Sequence, residues 1–357
     1  MRGLILRPLL VASGLGLLIG GSLGDEDPAD RDAKTLVASD IFEMIPAGKA
    51  GSCSGKNVNQ PLRDAATMAD KGVDVLEKFV HNVMANDKEK QGIRYANMVY
   101  SMFGAAYTID EDEESSDDSS DDGSSDYEPS GEEIRFYKGG NRLQEALENF
   151  QAVQFKLKNT EPQGKLMCGD GDLKLVRTLG DLGLEPNNEL ISKKKKDHNI
   201  KAYLLSRHFS KEGPKGVYEL DKALLLELTS EDYKYLKDGM CKKHLGIMIR
   251  KYDLMVVCDK AFELPTLQST IDKQDSLARQ PMQDSKGIWL IDKQRTTGFV
   301  VLHEAFHWIK DSRDCDMSLT LGIADTYAIF GQGVTLNKVN WYPNGYFDNI
   351  KSGKVYR

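Results

Sequence analysis

A chain of 357 residues with 40% hydrophobic residues can bury a sizeable core, either as one large domain with insertions or as two or three domains. The formal net charge of −8 is unevenly spread, because the segment from Asp110 to Glu133 carries 13 acidic residues and no Lys or Arg. Without that segment the formal charge is +5, so the low pI describes one stretch of the chain. We expect no nucleic-acid partner.

The first 24 residues are typical of a secretory signal peptide (1–24). Arg2 and Arg7 form a positive start, Leu9 to Ile19 an apolar centre, and small residues precede Asp25. The apolar run is too short and glycine-rich to favour a membrane span, although an uncleaved anchor is an alternative. We therefore expect a secreted, extracellular monomer that has no membrane partner after signal cleavage.

Export makes disulfides permissible for the five cysteines, which are Cys53, Cys168, Cys241, Cys258 and Cys315. Because five is an odd number, at most two bridges form within the chain and one thiol is left over. Several pairings satisfy this condition, and the sequence does not choose among them.

In chain order, a short N-terminal segment (25–50) is expected to precede a single domain (51–357). The short segment contains a predicted strand, Thr35 to Ser39. Apolar residues recur every three or four positions from Leu62 to Val83, which predicts a long amphipathic helix. Further helices are predicted at 93–103 and 143–155, and strands at 134–137, 245–249, 254–258 and 288–291.

The acidic stretch predicts a disordered insert at 109–133 within the domain. It consists almost wholly of Asp, Glu, Ser and Gly, so it cannot bury apolar area. A solvated tether is the plain interpretation, and weak calcium binding or attraction of basic substrates are the alternatives.

The most informative pattern is H-E-x-x-H, formed by His303, Glu304 and His307. On an α-helix, positions i and i+4 lie about one turn apart on the same face, so both imidazoles can reach one metal ion. Glu304 points toward the same pocket, where it can hold the attacking water as general base. Zinc acts as a Lewis acid for a peptide carbonyl and lowers the pKa of a water to about 7. The pattern therefore predicts a Zn²⁺ site.

Apolar residues surround this motif on nearly every side, from Phe299 to Ile309. A helix that is apolar nearly all round is a buried one. Two histidines and a glutamate inside such a helix are costly unless something binds them. The alternative is a pair of core histidines that are satisfied by backbone partners.

A catalytic zinc generally takes three protein ligands and keeps one position open. After His307 the chain contains no histidine and no glutamate, so a downstream ligand must be an aspartate. Asp325 is the strongest candidate, because it sits in an apolar stretch where a carboxylate needs a partner. Asp311 is the alternative, since it shares a helix face with His303 and His307.

The pattern His303-Glu304-x-x-His307 followed by Gly322-x-x-Asp325 resembles the fungal deuterolysins and peptidyl-lysine metalloendopeptidases, the aspzincins. The family pattern is H-E-x-x-H followed by G-T-x-D-x-x-Y-G. Looser similarities occur in the same order, around residue 53 and at 100–104 and 258–265, so the resemblance spans roughly 50 to 335.

The resemblance implies a zincin-like α+β metallopeptidase domain, with a small sheet packed on the zinc-binding helix and several further helices. It implies Asp325 as the third zinc ligand, protein or peptide substrates, and lysine after the cleaved bond. The family's tyrosine stabilises the oxyanion, a role worth about 3 kcal/mol. Here Ala328 stands at that position and Ile323 replaces the threonine, so Tyr327, one position early, is the candidate oxyanion donor.

The expected function is that of a secreted zinc metalloendopeptidase with Glu304 as general base. Two other interpretations stay open at this point. A secreted non-catalytic relative could keep the fold for binding, which the displaced tyrosine favours. An acidic calcium-binding or matrix protein could carry H-E-x-x-H by accident.

Overall fold

The computed structural model describes residues 31–48, 51–80, 91–110, 133–138, 140–171, 174–176, 202–204, 225–227, 239–250, 253–274, 294–310, 323–336, 339–341 and 347–349. The helices within these ranges are α1 (Ala38–Ile41), α2 (Asn59–Val80), α3 (Gln91–Phe103), α4 (Gly140–Lys158), α5 (Leu267–Asp272), α6 (Thr297–Ile309) and α7 (Ala324–Thr335). The strands are β1 (Phe42–Met44), β2 (Ala106–Asp110), β3 (Glu133–Lys138), β4 (Gly164–Cys168), β5 (Lys174–Val176), β6 (Ala202–Leu204), β7 (Leu225–Glu227), β8 (Gly246–Ile249), β9 (Leu254–Val257), β10 (Val339–Trp341) and β11 (Phe347–Asn349).

The largest sheet of the described residues has four strands in the order β1-β4-β9-β8. Strands β1, β4 and β9 run parallel to one another, and β8 runs antiparallel to β9. Every residue of β9 is buried, whereas all four residues of β8 are partly exposed. This contrast is the one expected between a central strand and an edge strand.

The helix α6, which carries H-E-x-x-H, packs against α2, α4 and α7, and it also contacts the edge strand β8. Nearly all of its side chains are buried, as the apolar sequence around the motif predicts. At Gly298 a Cβ atom would lie 2.4 Å from Cβ of Asp64, so the missing side chain lets α6 and α2 approach closely. The helices and the sheet therefore bury most of α6, while the two histidines of the motif stay partly exposed.

The expected α+β class is confirmed. The helices predicted at 62–83, 93–103 and 143–155 correspond to α2, α3 and α4, and the strands predicted at 134–137, 245–249 and 254–258 to β3, β8 and β9. The zincin-like classification stays a prediction. The strand predicted at 288–291 lies outside the described residues.

The predicted strand at Thr35 to Ser39 is wrong, because the chain turns there instead. Residues 33–35 form a short 3-10 helix whose first turn is capped by the Asp32 side chain, and α1 follows at 38–41. The strand of this region is β1, which pairs with β4, and Phe42 stacks on Trp308 at 5.2 Å. Residues 31–48 therefore contribute a strand to the sheet, although the sequence suggested a separate segment (25–50).

Two disulfides join the described cysteines, Cys53–Cys168 and Cys241–Cys258. Two bridges is the largest number that the five cysteines allow within the chain, and Cys315 lies outside the described residues. The second bridge closes the β8–β9 hairpin, whose end is also held by a hydrogen bond from the Cys258 amide to the Leu245 carbonyl at 2.8 Å.

Strands β2 and β3 pair antiparallel, with Asp110 opposite Glu133. They extend slightly into the predicted insert, and residues 111–132 lie outside the described residues, as does the predicted signal peptide. None of the described helices is long and apolar enough to cross a membrane.

Candidate metal centre

The start of α6 is held by side-chain hydrogen bonds. Thr296 is the N-cap residue, and its hydroxyl accepts a hydrogen bond from the Phe299 amide at 2.9 Å. The same hydroxyl donates to the side-chain oxygen of Gln332 on α7, and the Gln332 amide donates to the Gln294 carbonyl at 2.8 Å. These hydrogen bonds therefore link residues 294–296 to α7 and fix the position of the start of α6 relative to that helix.

The two histidines of the motif face each other on α6. The Nε2 atoms of His303 and His307 lie 3.0 Å apart, and the ring planes are inclined by 69°. Both side chains are partly exposed, so the pair opens toward solvent. The expected i, i+4 arrangement is therefore present, and it directs both Nε2 atoms to one point in space.

Glu304 belongs to the same cluster, although its side chain is nearly buried at 4% exposure. His303, Glu304 and His307 each offer one ligand atom, and these atoms lie within 4.8 Å of one another. The three side chains could therefore hold a metal ion. A carboxylate this deeply buried is costly unless cations or hydrogen-bond donors surround it, which a bound metal ion would provide.

The structure brings Asp325 to His303 across 22 positions of sequence. Its Oδ1 atom lies 2.8 Å from Nδ1 of His303. The contact is therefore a short electrostatic one. A carboxylate beside Nδ1 favours the tautomer with the proton on that nitrogen, which leaves Nε2 with a lone pair for a metal.

Asp325 is 6% exposed, and two features of the fold offset the cost of burying its charge. It lies in the first turn of α7, where the helix dipole favours an anion. The guanidinium of Arg295 also approaches its Oδ2 atom to 4.0 Å, while stacking over the Phe299 ring at 5.3 Å. The sequence pattern did not single out Arg295, because nothing local marks its approach to Asp325.

The donor set fits a divalent metal. In a tetrahedral site with metal–nitrogen distances of about 2.0–2.1 Å, two ligand atoms lie roughly 3.3 Å apart. The observed 3.0 Å between the two Nε2 atoms differs from this by a few tenths of an ångström. With the tautomer that Asp325 favours, Nε2 of His303 carries a lone pair and can accept a hydrogen bond from Nε2–H of His307, and a bound metal ion would take the place of that proton.

Tyr327 lies in an aromatic cluster rather than in an open pocket. It is 1% exposed, its ring stacks on Phe306 at 4.5 Å, and its hydroxyl accepts a hydrogen bond from the Asn149 amide at 2.6 Å. Burial raises the pKa of this phenol above its ordinary value of 10.0, and nearby Glu145 raises it further. An oxyanion donor must face the substrate carbonyl, so this environment favours a structural role for Tyr327.

Asp311, the alternative third ligand, lies outside the described residues. The structure adds one residue that the sequence analysis passed over, Gly246 in β8, whose Cα lies against Glu304. A glycine inside a strand often marks the close approach of another group, and the strand predicted at 245–249 contains such a glycine.

Comparison of the chain with protein-family models, with curated proteins and with solved structures finds no match in any of the three.

Proposed function

We propose that this protein is a secreted zinc metalloendopeptidase that hydrolyses peptide bonds in protein substrates. The observation that carries the proposal is the 3.0 Å approach of the two Nε2 atoms on α6, with Glu304 in the same cluster. Two further features support it. Asp325 arrives from another helix at His303, and the disulfides accord with an exported chain.

In this proposal His303 and His307 would hold the ion through Nε2. Asp325 was expected as a third ligand, but its carboxylate contacts Nδ1 of His303 and is not part of the described cluster of ligand atoms, so its proposed role is to orient that imidazole. A bound Zn²⁺ would polarise the scissile carbonyl and lower the pKa of the attacking water to about 7. Glu304 would serve as the general base that accepts a proton from the attacking water and returns it to the leaving amine.

A peptide substrate suits the strand beside the cluster. Among the described residues, β8 pairs on one side with β9, and its four residues are partly exposed. An extended peptide can pair with such an edge through main-chain hydrogen bonds, which suits many different sequences. Because β8 contacts α6 and Gly246 lies against Glu304, a peptide on this edge would run past the general base. Preference for lysine after the cleaved bond rests on the family resemblance alone.

The test is metal content and chelator-sensitive proteolysis of the purified protein. We expect about one zinc per chain and loss of cleavage after chelation. Glu304→Gln should reduce turnover by about 10²- to 10⁴-fold while zinc binding changes little, because Gln keeps the shape and loses the base. Glu148→Gln, on the exposed face of α4, is the matched control and should leave turnover unchanged. A chain that holds no stoichiometric metal would refute the proposal.

A secreted non-catalytic binding protein is the second candidate, and the position of Tyr327 favours it. If no other group stabilises the oxyanion, the protein can bind zinc and yet hydrolyse peptide bonds slowly or not at all. Full zinc occupancy without chelator-sensitive cleavage of any protein substrate would select this candidate. An accidental H-E-x-x-H in an acidic calcium-binding protein predicts neither tight zinc nor cleavage.

A further inference from the structure

Gly246 is the first residue of the edge strand β8, and it sits directly against the general base of the proposed reaction. It pairs with Val257 in the regular antiparallel register of β8 and β9. Its backbone is not in the left-handed region, unlike that of Gly239 nearby. The backbone conformation therefore does not require a glycine at this position, and the reason for one must lie in the surrounding space.

That space is filled by two side chains of α6. A Cβ atom built on Gly246 would lie 2.8 Å from Oε1 and 2.9 Å from Cγ of Glu304. It would also lie 2.8 Å from Cγ1 of Val300, one turn earlier on the helix. These distances are well inside van der Waals contact, so any side chain at this position must displace one of its neighbours.

We infer that Gly246 is a positioning residue for Glu304. The missing side chain lets the carboxyl group stand against the edge strand, beside the point where the two histidine Nε2 atoms meet. This inference rests on the proposed function, since it concerns the placement of the general base. It adds a residue outside H-E-x-x-H and its aspartate to the groups that determine turnover.

The neighbours of Gly246 differ in how easily they can move. The register of β8 is held by its pairing with β9 and by the Cys241–Cys258 disulfide. Val300 is buried in the core at 4% exposure. The carboxyl end of Glu304 is the flexible part of the contact, because it can rotate about several side-chain bonds. An added methyl group should therefore displace the base before it unfolds the strand.

The first experiment is Gly246→Ala, with turnover and zinc affinity measured on the same preparation. We expect kcat to fall by about 100-fold, the scale of a 1 Å misplacement of a catalytic group. Zinc affinity should change by less than about 3-fold, because the two histidines are not displaced. Unchanged kcat would overturn the inference, and so would a loss of zinc affinity in parallel with kcat.

Gly164→Ala is the matched control, because Gly164 is also the first residue of a strand in the same sheet and also faces α6. A Cβ atom there would lie 2.7 Å from the Trp308 ring and 2.8 Å from the Asp253 carbonyl oxygen. This variant should lower Tm at least as much as Gly246→Ala and leave kcat within about 3-fold of the wild type. A loss of kcat equal to that of Gly246→Ala would mean that general overpacking, rather than placement of Glu304, causes the defect.

A second variant separates placement of the base from packing of the strand. Val300→Ala removes the other contact of the added methyl group, so Gly246→Ala should cost less Tm in the Val300→Ala background than in the wild type. Val300→Ala should not restore kcat, because the contact with Glu304 remains. Recovery of both Tm and kcat in the double variant would show that the defect is one of packing, and the inference would fail.

One further comparison does not depend on activity. In the metal-free protein, Gly246→Ala should lower Tm by about 2 to 6 °C relative to the wild type. In the Glu304→Ala background, where the methyl group has room, adding Gly246→Ala should lower Tm by at most half of that amount. An equal loss in both backgrounds would overturn the inference. If the wild type shows no chelator-sensitive cleavage, the proposed function fails, and this comparison still decides whether Gly246 makes room for Glu304.

Discussion

Tyr327→Phe removes one hydroxyl and distinguishes a structural role of this residue from a catalytic one. In the structure the hydroxyl accepts a hydrogen bond from Asn149 at 2.6 Å inside a cluster of Phe103, Phe150 and Phe306. A lost buried hydrogen bond costs about 1 kcal/mol, and the half-buried Asn149 amide can recover part of this from water. We expect the variant to lose about 0.5 to 1 kcal/mol of stability, with kcat within about 2-fold of the wild type.

The assay pairs chemical denaturation with peptide hydrolysis at saturating substrate. Asn149→Ala is the control, because it removes the partner of the same hydrogen bond from a different helix, and it should reproduce the loss of stability. An oxyanion donor would behave differently, since its removal lowers kcat by about 10²- to 10³-fold. A loss of that size in Tyr327→Phe, with normal stability, would refute the structural reasoning and restore Tyr327 to the catalytic site.

The same phenol predicts how stability depends on alkaline pH. Burial raises the pKa of folded Tyr327 above the ordinary value of 10.0, so the folded state keeps its proton where the unfolded state loses it. Above about pH 10 the unfolded state binds fewer protons, and stability falls as pH rises, by up to about 1.4 kcal/mol per pH unit from this group. Tyr327→Phe should reduce this slope, and an identical slope in both proteins would contradict the prediction.

Three further predictions follow from particular contacts. Asp325→Asn should weaken zinc binding about 10- to 100-fold in a competition titration, because an amide no longer favours the metal-binding tautomer of His303; unchanged affinity would remove Asp325 from the site. Arg94→Met should cost about 2 kcal/mol in denaturant unfolding, since the buried guanidinium donates to carbonyls at the end of α7, and Met keeps only its apolar stem. Replacing Cys53 and Cys168 together by Ala should cost about 4 kcal/mol, because that bridge closes a loop of 115 residues; a loss below about 1 kcal/mol would contradict the expectation.

The metal pair was predictable because it depends on local geometry. Two histidines four positions apart share a helix face wherever that helix lies, and the apolar residues around them indicate that the helix is buried. Asp325 was reached by a weaker argument, namely the absence of histidine and glutamate after His307 and the apolar stretch around Asp325. Its contact with His303 depends on how α7 packs against α6, which is not written in any short pattern.

The tyrosine illustrates the opposite case. Tyr327 lies one position before the tyrosine of the family pattern, so the sequence left open where its side chain would point. Packing decides this, because Phe306 of α6 and Asn149 of α4 offer the ring and its hydroxyl an aromatic and hydrogen-bonded environment in the core. The N-terminal segment behaves in the same way, since β1 forms where Phe42 can stack on Trp308, a partner far along the chain.

By itself, the sequence determined the main helices, several of the strands, an upper limit of two disulfides and the pair of histidines with Glu304 between them. All of these follow from periodicity, composition and spacing, which act over one or two turns of chain. The tertiary structure alone decided the cysteine pairing, the side of His303 that Asp325 meets, the burial of Tyr327 and the gap at Gly246 that Glu304 occupies. These features join residues that are tens or hundreds of positions apart, and the packing of the whole core selects them.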